Sequence, residues 1–213
     1  ECLSLTSLNL SNFHTPMLTS MMGMFYKCGS LKYLDISNFN TEKVTEMNLA
    51  FYYCQNLLSL DVSHFNTAQV KTMLSMFSFC QSLTSLDLNN FVTSQVTNMK
   101  NMFFMCSDLK YLKIDNFKTQ SVTNMEGMFF ECESLTSLNL SSFDTNNVSN
   151  MKLMFSGCKN LAELDISNFD TTSLIDMEQM FYICRSIGYI NFVKYNELDE
   201  SVVIDNILYS VPN

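Results

Sequence analysis

Positive charge is scarce in this sequence. It has 12 lysine and arginine residues against 21 aspartate and glutamate residues, a net charge of −9, and Arg185 is the only arginine. Nucleic-acid-binding proteins need basic stripes that neutralise phosphates, and anionic membrane surfaces attract basic segments. The composition therefore excludes the usual electrostatic basis for both, and we expect no nucleic-acid partner.

Groups that carry catalysis are scarce as well. The only histidines are His14 and His64, and no glycine-rich phosphate loop, G-x-S-x-G or H-E-x-x-H motif occurs. We therefore predict that the chain is not an enzyme and that it has no catalytic residues, metal site or cofactor.

Long apolar runs and targeting segments are also missing. No stretch reaches the roughly 18 consecutive apolar residues of a transmembrane helix, and nothing resembles a signal peptide. We therefore predict no direct insertion into a membrane. Because the chain begins with Glu1 rather than methionine, we interpret it as a processed product or a piece of a longer protein.

Eight cysteines reveal a tandem repeat. They recur every 26 residues without insertion, as Cys2, Cys28, Cys54, Cys80, Cys106, Cys132, Cys158 and Cys184. A fixed period of this length is typical of a solenoid, in which one supersecondary unit stacks on the next. Positions within each repeat are counted from its cysteine, which is position 0.

The other columns of the repeat are equally regular. Through the first seven repeats, leucine occupies positions 3 and 6, and an aliphatic residue occupies position 8. Phenylalanine occupies positions 11 and 23, threonine position 13, valine or leucine position 16, and methionine position 19. Each unit thus reads C-x-x-L-x-x-L-x-L-x-x-F-x-T-x-x-V-x-x-M-x-x-M-F-x-x, and we interpret these columns as core.

Two segments of the unit differ in their period. L-x-x-L-x-L ends with alternating leucines, which predicts a short strand that stacks in register about 4.8 Å from the next. M-x-x-M-F-x-x-C has three- and four-residue spacing, which predicts a short helical turn. Between them, T-x-x-V-x-x-M could begin a helix capped by threonine or run extended, and extended or 3₁₀ backbone is favoured.

The predicted fold class is therefore an α/β solenoid. It is a right-handed leucine-rich-repeat superhelix with a parallel sheet on one face and short helical turns on the other. Residues 1–184 form seven tandem repeats. Residues 185–213 form a divergent last repeat and a C-terminal cap, in which 197–209 is expected to be helical and to cover the end of the core.

Turns must be made with little glycine or proline, since the chain has only five and two of them. Asparagine, aspartate, serine and threonine can replace them by bonding to nearby backbone. Asparagine recurs at position 10, where His64 and Ser142 are the exceptions. Stacked side chains in this column predict a hydrogen-bonded ladder along the solenoid.

The span from Cys2 to Cys184 resembles the BspA-like leucine-rich-repeat surface proteins of host-associated bacteria and protists. The resemblance is to their 26-residue class, L-x-x-L-D-L-S-N-F-D-T-x-x-V-x-x-M-x-x-M-F-x-x-C, and residues 135–158, LTSLNLSSFDTNNVSNMKLMFSGC, match it nearly letter for letter. The resemblance implies a secreted or surface-anchored protein, and some members are regarded as adhesins. It therefore implies an extracellular or cell-surface location but names no ligand.

The cysteine column could suggest metal or disulfide chemistry. Zinc sites need ligands that converge with local C-x-x-C spacing, which a 26-residue column does not provide. Parallel, in-register side chains rarely meet the torsional requirement of a disulfide. We predict free, buried thiols that pack as small apolar groups.

Positions 5 and 7 flank the inward leucine of the strand and should face solvent on the concave sheet. We propose this surface as the partner-binding site, for a protein or glycan on a host or neighbouring cell. Neighbouring aspartates in it repel by about 1 kcal/mol per pair, which a cationic partner, a bound Ca²⁺ or Lys113 could relieve; a plain solvated acidic face is the alternative. The candidate residues are Tyr33, Asp35, Asp61, Asp87, Tyr111, Lys113, Glu163 and Asp165.

Aromatic residues also follow the phenylalanine of position 23. They form either an exposed ridge, which would mark an interface, or ordinary packing between neighbouring units. A recognition and adhesion module is thus the first functional hypothesis, and a structural subunit that self-assembles through solenoid ends and this ridge is the second. The ridge candidates are Tyr52, Tyr53, Phe79, Phe104 and Phe130.

Overall fold

The computed structural model describes residues 1–191, which form stacked repeats with short parallel strands. Each strand occupies positions 5 to 7 of its repeat, as the alternating leucines predicted. The predicted C-terminal cap at 197–209 lies outside the described residues. The strands are β1 (Ser7–Asn9), β2 (Tyr33–Asp35), β3 (Ser85–Asp87), β4 (Tyr111–Lys113), β5 (Glu163–Asp165) and β6 (Tyr189–Asn191).

The strands pair in parallel and in register, but the predicted sheet is not continuous. β1 pairs with β2, β3 with β4 and β5 with β6, each residue facing the same position of the next repeat. The equivalent segments 59–61 and 137–139, in repeats 3 and 6, form no strand. Within residues 1–191 the sheet therefore consists of three separate two-stranded parts.

A second parallel ladder, at position 18, continues through all seven repeats. It consists of isolated bridges from Ser20 to Glu46 and onward, repeat by repeat, to Asp176. The segment T-x-x-V-x-x-M therefore ends in extended backbone, as favoured from the sequence. This ladder, unlike the strand sheet, joins each of the seven repeats to the next without interruption.

The predicted helical turns are wrong: no helix forms anywhere in the described range, and positions 20 to 25 are consecutive tight turns. N–H groups at even positions donate three residues back, as Met102 does to the Met99 carbonyl at 3.2 Å. Those at odd positions donate to the next repeat, as Phe103 does to Met128 at 2.9 Å. A helix would consume all of these donors within its own segment.

Left-handed backbone conformations direct the N–H groups of the odd positions toward the next repeat. Positions 21 and 25 have φ between 51° and 77° in every repeat, and most of these residues are not glycine, including Leu49, Tyr53 and Phe79. Such residues cost about 1 kcal/mol or more each in this region. The hydrogen bonds between repeats offset that cost. The helix-like spacing of M-x-x-M-F-x-x-C arises because turns of three residues also return apolar side chains to one side.

Gly157 provides a test of these turns. It has φ +77°, and an added Cβ would lie 2.7 Å from Glu131 Cγ and 3.2 Å from Glu131 Cα. We expect Gly157→Ala to lower the free energy of unfolding by about 1–3 kcal/mol, measured by urea denaturation. Gly29→Ala is the matched control, since its Cβ would meet only ordinary contacts at 3.5 Å or more. Equal stability of the two variants would contradict the strained-turn account.

The core is built from stacked columns, as the repeat predicted. The phenylalanines of position 23 form a continuous stack from Phe25 to Phe181, with ring centroids 5.5–5.7 Å apart and interplanar angles of 0–11°. Offset ring stacking adds about 0.5–1.5 kcal/mol per pair to the gain from burial. The leucines, valines and methionines of the other columns surround this stack. From repeat 2 onward they are buried, except Leu34, Leu60 and Leu112 of position 6, which are partly buried against it.

The threonine column is a polar ladder inside this core. From repeat 2 onward the side chains are at most 2% exposed. From Thr41 to Thr145 each hydroxyl bonds to one residue of the following repeat: the Thr119 Oγ1 accepts from the Asp144 N–H at 2.8 Å and donates to the Asp144 carbonyl at 2.7 Å. Threonine thus satisfies backbone groups that would otherwise be unpaired between repeats.

The asparagine column forms the predicted ladder, but through backbone rather than between side chains. Asn90 and Asn168 each donate from Nδ2 to the carbonyls at positions 8 and 11 of the preceding repeat, over 2.7–3.1 Å. His64 makes a single side-chain hydrogen bond in this column, between Nε2 and the Ile36 carbonyl at 3.0 Å. The side chain of Ser142 is too short to reach a carbonyl. Its Oγ is buried and has no hydrogen-bond partner among the described residues. The two exceptions fall in the two repeats without a strand.

The cysteines are free, and seven of the eight are buried as predicted. Cys2 is exposed, which contradicts the prediction for that residue, because within the chain a neighbouring repeat covers it on one side only. From Cys54 to Cys184 each Sγ donates to the position-23 carbonyl of the repeat two before its own, over 3.0–3.2 Å. The thiol therefore serves both as a small core group and as a donor.

Candidate functional site

The predicted site residues lie together on one surface, which we call the strand face. Position 6 points into the core, as the 4% exposure of Leu86 shows, and positions 5 and 7 point to solvent. All eight candidates are exposed except Asp35, which is half-buried. The alternation of the strand therefore places them side by side, although nothing in their placement identifies a ligand.

The acidic residues of the strand face have a structural role that the sequence interpretation missed. At position 7, one side-chain oxygen accepts the backbone N–H two residues on, as in Asp35 with Ser37 at 3.0 Å and Asp61 with Ser63 at 2.9 Å. Asn9, Asp87, Asn139 and Asp165 do the same. These Asx turns end the strand, and the recurrent D/N-x-S spacing was the signal for them.

The strand face carries an ion pair between Lys113 and Asp87. Lys113 lies 3.0 Å from Asp87 and lowers the pKa of that carboxyl, so the predicted relief by this lysine is confirmed for one aspartate. Hydrogen bonds from Ser37 and Ser63 hold the pKa of Asp35 and Asp61 below the ordinary value. All three carboxyls are therefore ionised at neutral pH, and the exposed ion pair contributes little stability.

A cleft opens where the strand ladder is interrupted. It lies between repeats 3 and 4, has a volume of about 340 Å³, and is lined by Ser59, Leu60, Asp61, Val62, Ser63, Ser85, Leu86 and Asp87. A smaller cleft of about 160 Å³ occupies the equivalent place between repeats 6 and 7, lined by residues from Leu138 to Ser141 and by Asp165, Ser167 and Asn168. Both clefts follow the repeats that lack asparagine at position 10, and sequence reasoning did not predict them.

Two tyrosines stand on either side of the larger cleft. Tyr33 in repeat 2 is 59% exposed and Tyr111 in repeat 5 is 61% exposed. Lys110 Nζ lies 5.4 Å from the centre of the Tyr111 ring. Tyrosine is enriched at binding interfaces because its ring is apolar and its hydroxyl can stay hydrated, so these two residues are candidate contact residues of the strand face.

The remaining reactive groups of the chain are the potential metal ligands and the cysteine thiols. Among the described residues no group of three or more histidine, cysteine, aspartate or glutamate side chains is placed to hold a metal ion. Burial raises the pKa of the core thiols, for example that of Cys106 to about 12, so they are not nucleophiles at neutral pH. In the described part of the chain no helix could span a bilayer.

The aromatic ridge is intermediate between the two alternatives left open by the sequence. Its rings contact one another, with Phe104 and Phe130 stacked at 4.5 Å and Tyr52, Tyr53 and Phe79 within 5.5–6.4 Å of each other. Tyr53 is 37% exposed, and the other four are half-buried. The ridge is therefore a packed ring cluster that leaves part of its surface open.

Comparison with known proteins gives a family and a distant structural likeness. The family model described as "Mycoplasma protein of unknown function, DUF285" matches residues 2–111 and 99–197. The chain is similar to the crystal structure of a leucine-rich repeat protein from Bacteroides ovatus, at 18% identity and a TM-score of 0.42. That match covers 89% of this chain and 58% of the other. No curated protein matches the chain.

Proposed function

We propose that this chain, which belongs to the DUF285 family of Mycoplasma proteins of unknown function, is a non-enzymatic recognition and adhesion module. The observation that carries the proposal is the strand face, where exposed tyrosines and ionised carboxylates surround a cleft on a rigid repeat scaffold. Stacked repeats commonly use such extended surfaces to bind partners. The partner would be a protein or glycan on a host or neighbouring cell.

Location is part of the same proposal. The resemblance of residues 2–184 to BspA-like surface repeats favours display outside the cell. An acidic chain with net charge −9 would not adhere to anionic surfaces non-specifically. Contacts would then depend on the shape and chemistry of the strand face rather than on bulk charge.

Loss of the strand face should abolish binding without unfolding the chain. The test variant combines Tyr33→Ala and Tyr111→Ala with Asp35→Asn, Asp61→Asn and Asp87→Asn. Asparagine already occupies position 7 in repeats 1 and 6, where it makes the same Asx turn, so it removes charge and keeps the turn acceptor. Binding is measured on an array of immobilised matrix proteins and glycans.

The control for this experiment removes exposed apolar side chains elsewhere. Met17→Ala and Ile175→Ala suit this purpose, since these residues are 75% and 78% exposed and lie off the strand face. Both variants should keep the circular dichroism spectrum and urea midpoint of the parent. Binding that survives in the strand-face variant, or binding to nothing on the array, would refute the proposal.

A structural subunit that self-assembles is the second candidate, and the ring cluster favours it. The open part of that cluster centres on Tyr53, whose φ of 60° suits asparagine as a replacement. Light scattering across a hundredfold dilution separates the candidates. A constant mass of 24.5 kDa favours the recognition module, and a mass that grows with concentration and returns to 24.5 kDa in Tyr53→Asn favours assembly.

A further inference from the structure

The exposed tyrosines form a pattern with a period of three repeats. Position 5 reads serine, tyrosine, serine, serine, tyrosine along repeats 1 to 5, so Tyr33 and Tyr111 stand on either side of Ser59 and Ser85. β2 and β4 hold the tyrosines in register with the serines of the strands before them. Two large rings thus border a floor, two repeats wide, of small hydroxyl side chains.

The floor between the rings is open rather than filled. Segment 59–61 does not join the strand ladder, and the cleft of about 340 Å³ enters between it and β3. Small-ligand sites usually measure ~300–1,000 Å³, so this cleft is at the lower end of that range. At ~4.8 Å per strand, three repeats place the tyrosines at least roughly 14 Å apart along the solenoid. The site is therefore elongated, with a ring at each end.

The rim of the cleft is polar. Ser59, Ser63 and Ser85 line it with hydroxyl groups, and Asp61 and Asp87 line it with carboxylates. In Asp61 and Asp87 it is Oδ1 that accepts the backbone N–H of the Asx turn. Oδ2 of Asp87 accepts a hydrogen bond from Lys113 Nζ, whereas no ion pair within the described chain engages the carboxylate of Asp61. An ionised carboxylate oxygen exposed in a cleft accepts hydroxyl donors and repels anions.

Two features make a protein partner the less favoured occupant. Stable protein interfaces centre on a buried apolar core from which charged residues are depleted. On the strand face the region between the two tyrosines presents serines and aspartates instead, and its apolar residues Leu60, Val62 and Leu86 lie inside the cleft. A ligand that offers many hydroxyl donors and flat apolar ring faces fits this arrangement better, because tyrosine rings can pack against those faces.

Resting on the recognition role proposed above, we infer that the strand face of repeats 2 to 5 binds an extended, neutral oligosaccharide. The ligand lies along the solenoid, with one sugar ring stacked on Tyr33, another on Tyr111, and the hydroxyls between them bonded to Asp61 and the serines of the cleft. Sialylated and sulfated glycans are rejected by the carboxylates.

The experiment titrates the folded chain with tetrasaccharides by isothermal calorimetry. The probes are cellotetraose, mannotetraose and N-acetylchitotetraose as neutral ligands, with a sulfated tetrasaccharide as the anionic comparison. We expect at least one neutral probe to bind, the sulfated one not to bind, and added salt to leave the affinity unchanged because no charge is paired. Tyr33→Ala with Tyr111→Ala should weaken binding by about tenfold or more, and Tyr33→Phe with Tyr111→Phe should retain it, since stacking needs only the ring.

The outcomes separate this inference from the proposed function. If no neutral tetrasaccharide binds, or if the phenylalanine variants lose binding as fully as the alanine variants, the inference is wrong. Should the array instead show binding to proteins that depends on the strand face, the recognition role stands and the partner is a protein. Affinity that falls steeply with salt would indicate a cationic partner and would also overturn the inference. Binding that is independent of the strand face would overturn both.

Discussion

Raising the pH from 8 to about 10 should unfold this protein under reducing conditions. Burial raises the pKa of Cys54, Cys106 and Cys184 to about 12, from an ordinary value of 9.0. The same burial raises the pKa of Cys80, Cys132 and Cys158 well above that value. In the folded chain these six thiols stay protonated at pH 10, whereas in the unfolded chain they ionise.

The sign and size of the effect follow from linkage. A raised folded pKa leaves stability unchanged below pH 9 and removes it as the pH rises from 9 towards 12. At pH 10 each thiol contributes about 1.4 kcal/mol to this loss, and six of them about 8 kcal/mol. That is comparable to the ~5–15 kcal/mol by which a typical domain is stable. The buried cysteine column therefore lowers the free energy of unfolding at alkaline pH.

The measurement is the urea midpoint at pH 7.5, 9 and 10, with a phosphine reductant to prevent oxidation. Cys106→Ala is the control, because it removes one of the six thiols and should reduce the loss between pH 7.5 and 10 by about 1.4 kcal/mol. A thiol reagent provides a second readout: at pH 7.5 exposed Cys2 should react quickly and the buried cysteines slowly. A midpoint that stays constant up to pH 10 would contradict the buried, protonated column.

Thr119→Val should destabilise the chain although valine has nearly the same shape as threonine. The substitution removes both hydrogen bonds of the Thr119 hydroxyl and leaves the N–H and carbonyl of Asp144 without partners between two repeats. Because the side chain is 0% exposed, water cannot easily replace these bonds. We expect the free energy of unfolding to fall by about 2–4 kcal/mol, measured by urea denaturation.

Thr119→Ser separates the hydroxyl from the methyl group. Serine keeps both bonds to Asp144 and loses only one buried methyl, so its cost should be about 1 kcal/mol. If valine is as well tolerated as serine, the threonine column is packing and not a ladder. The sequence shows this column at position 13 in the first seven repeats, but the partner of a hydroxyl such as that of Thr119 lies 25 residues away, and only the stacked structure identifies it.

The sequence alone determined the architecture of this protein. The 26-residue period required identical units that stack, and the alternation around Leu86 assigned the strand and its exposed residues correctly. Apolar columns such as the phenylalanines of position 23 had to meet their equivalents in the next repeat, because equal units without insertions keep their register. Both results depend on patterns that recur at fixed spacing, which is the information that a repeat sequence carries most strongly.

Only the tertiary structure decided the local backbone and the shape of the strand face. Over the seven residues of M-x-x-M-F-x-x, three-residue turns and a helix place apolar side chains alike, and the choice was made by hydrogen bonds to the following repeat. The cleft beside Asp61 depends on how closely repeats 3 and 4 approach. Tyr33 and Tyr111 are candidate ligand contacts because they stand on either side of this cleft. Hydrogen bonds and clefts between repeats depend on contacts between residues about 26 positions apart. The sequence of a single repeat therefore does not predict them.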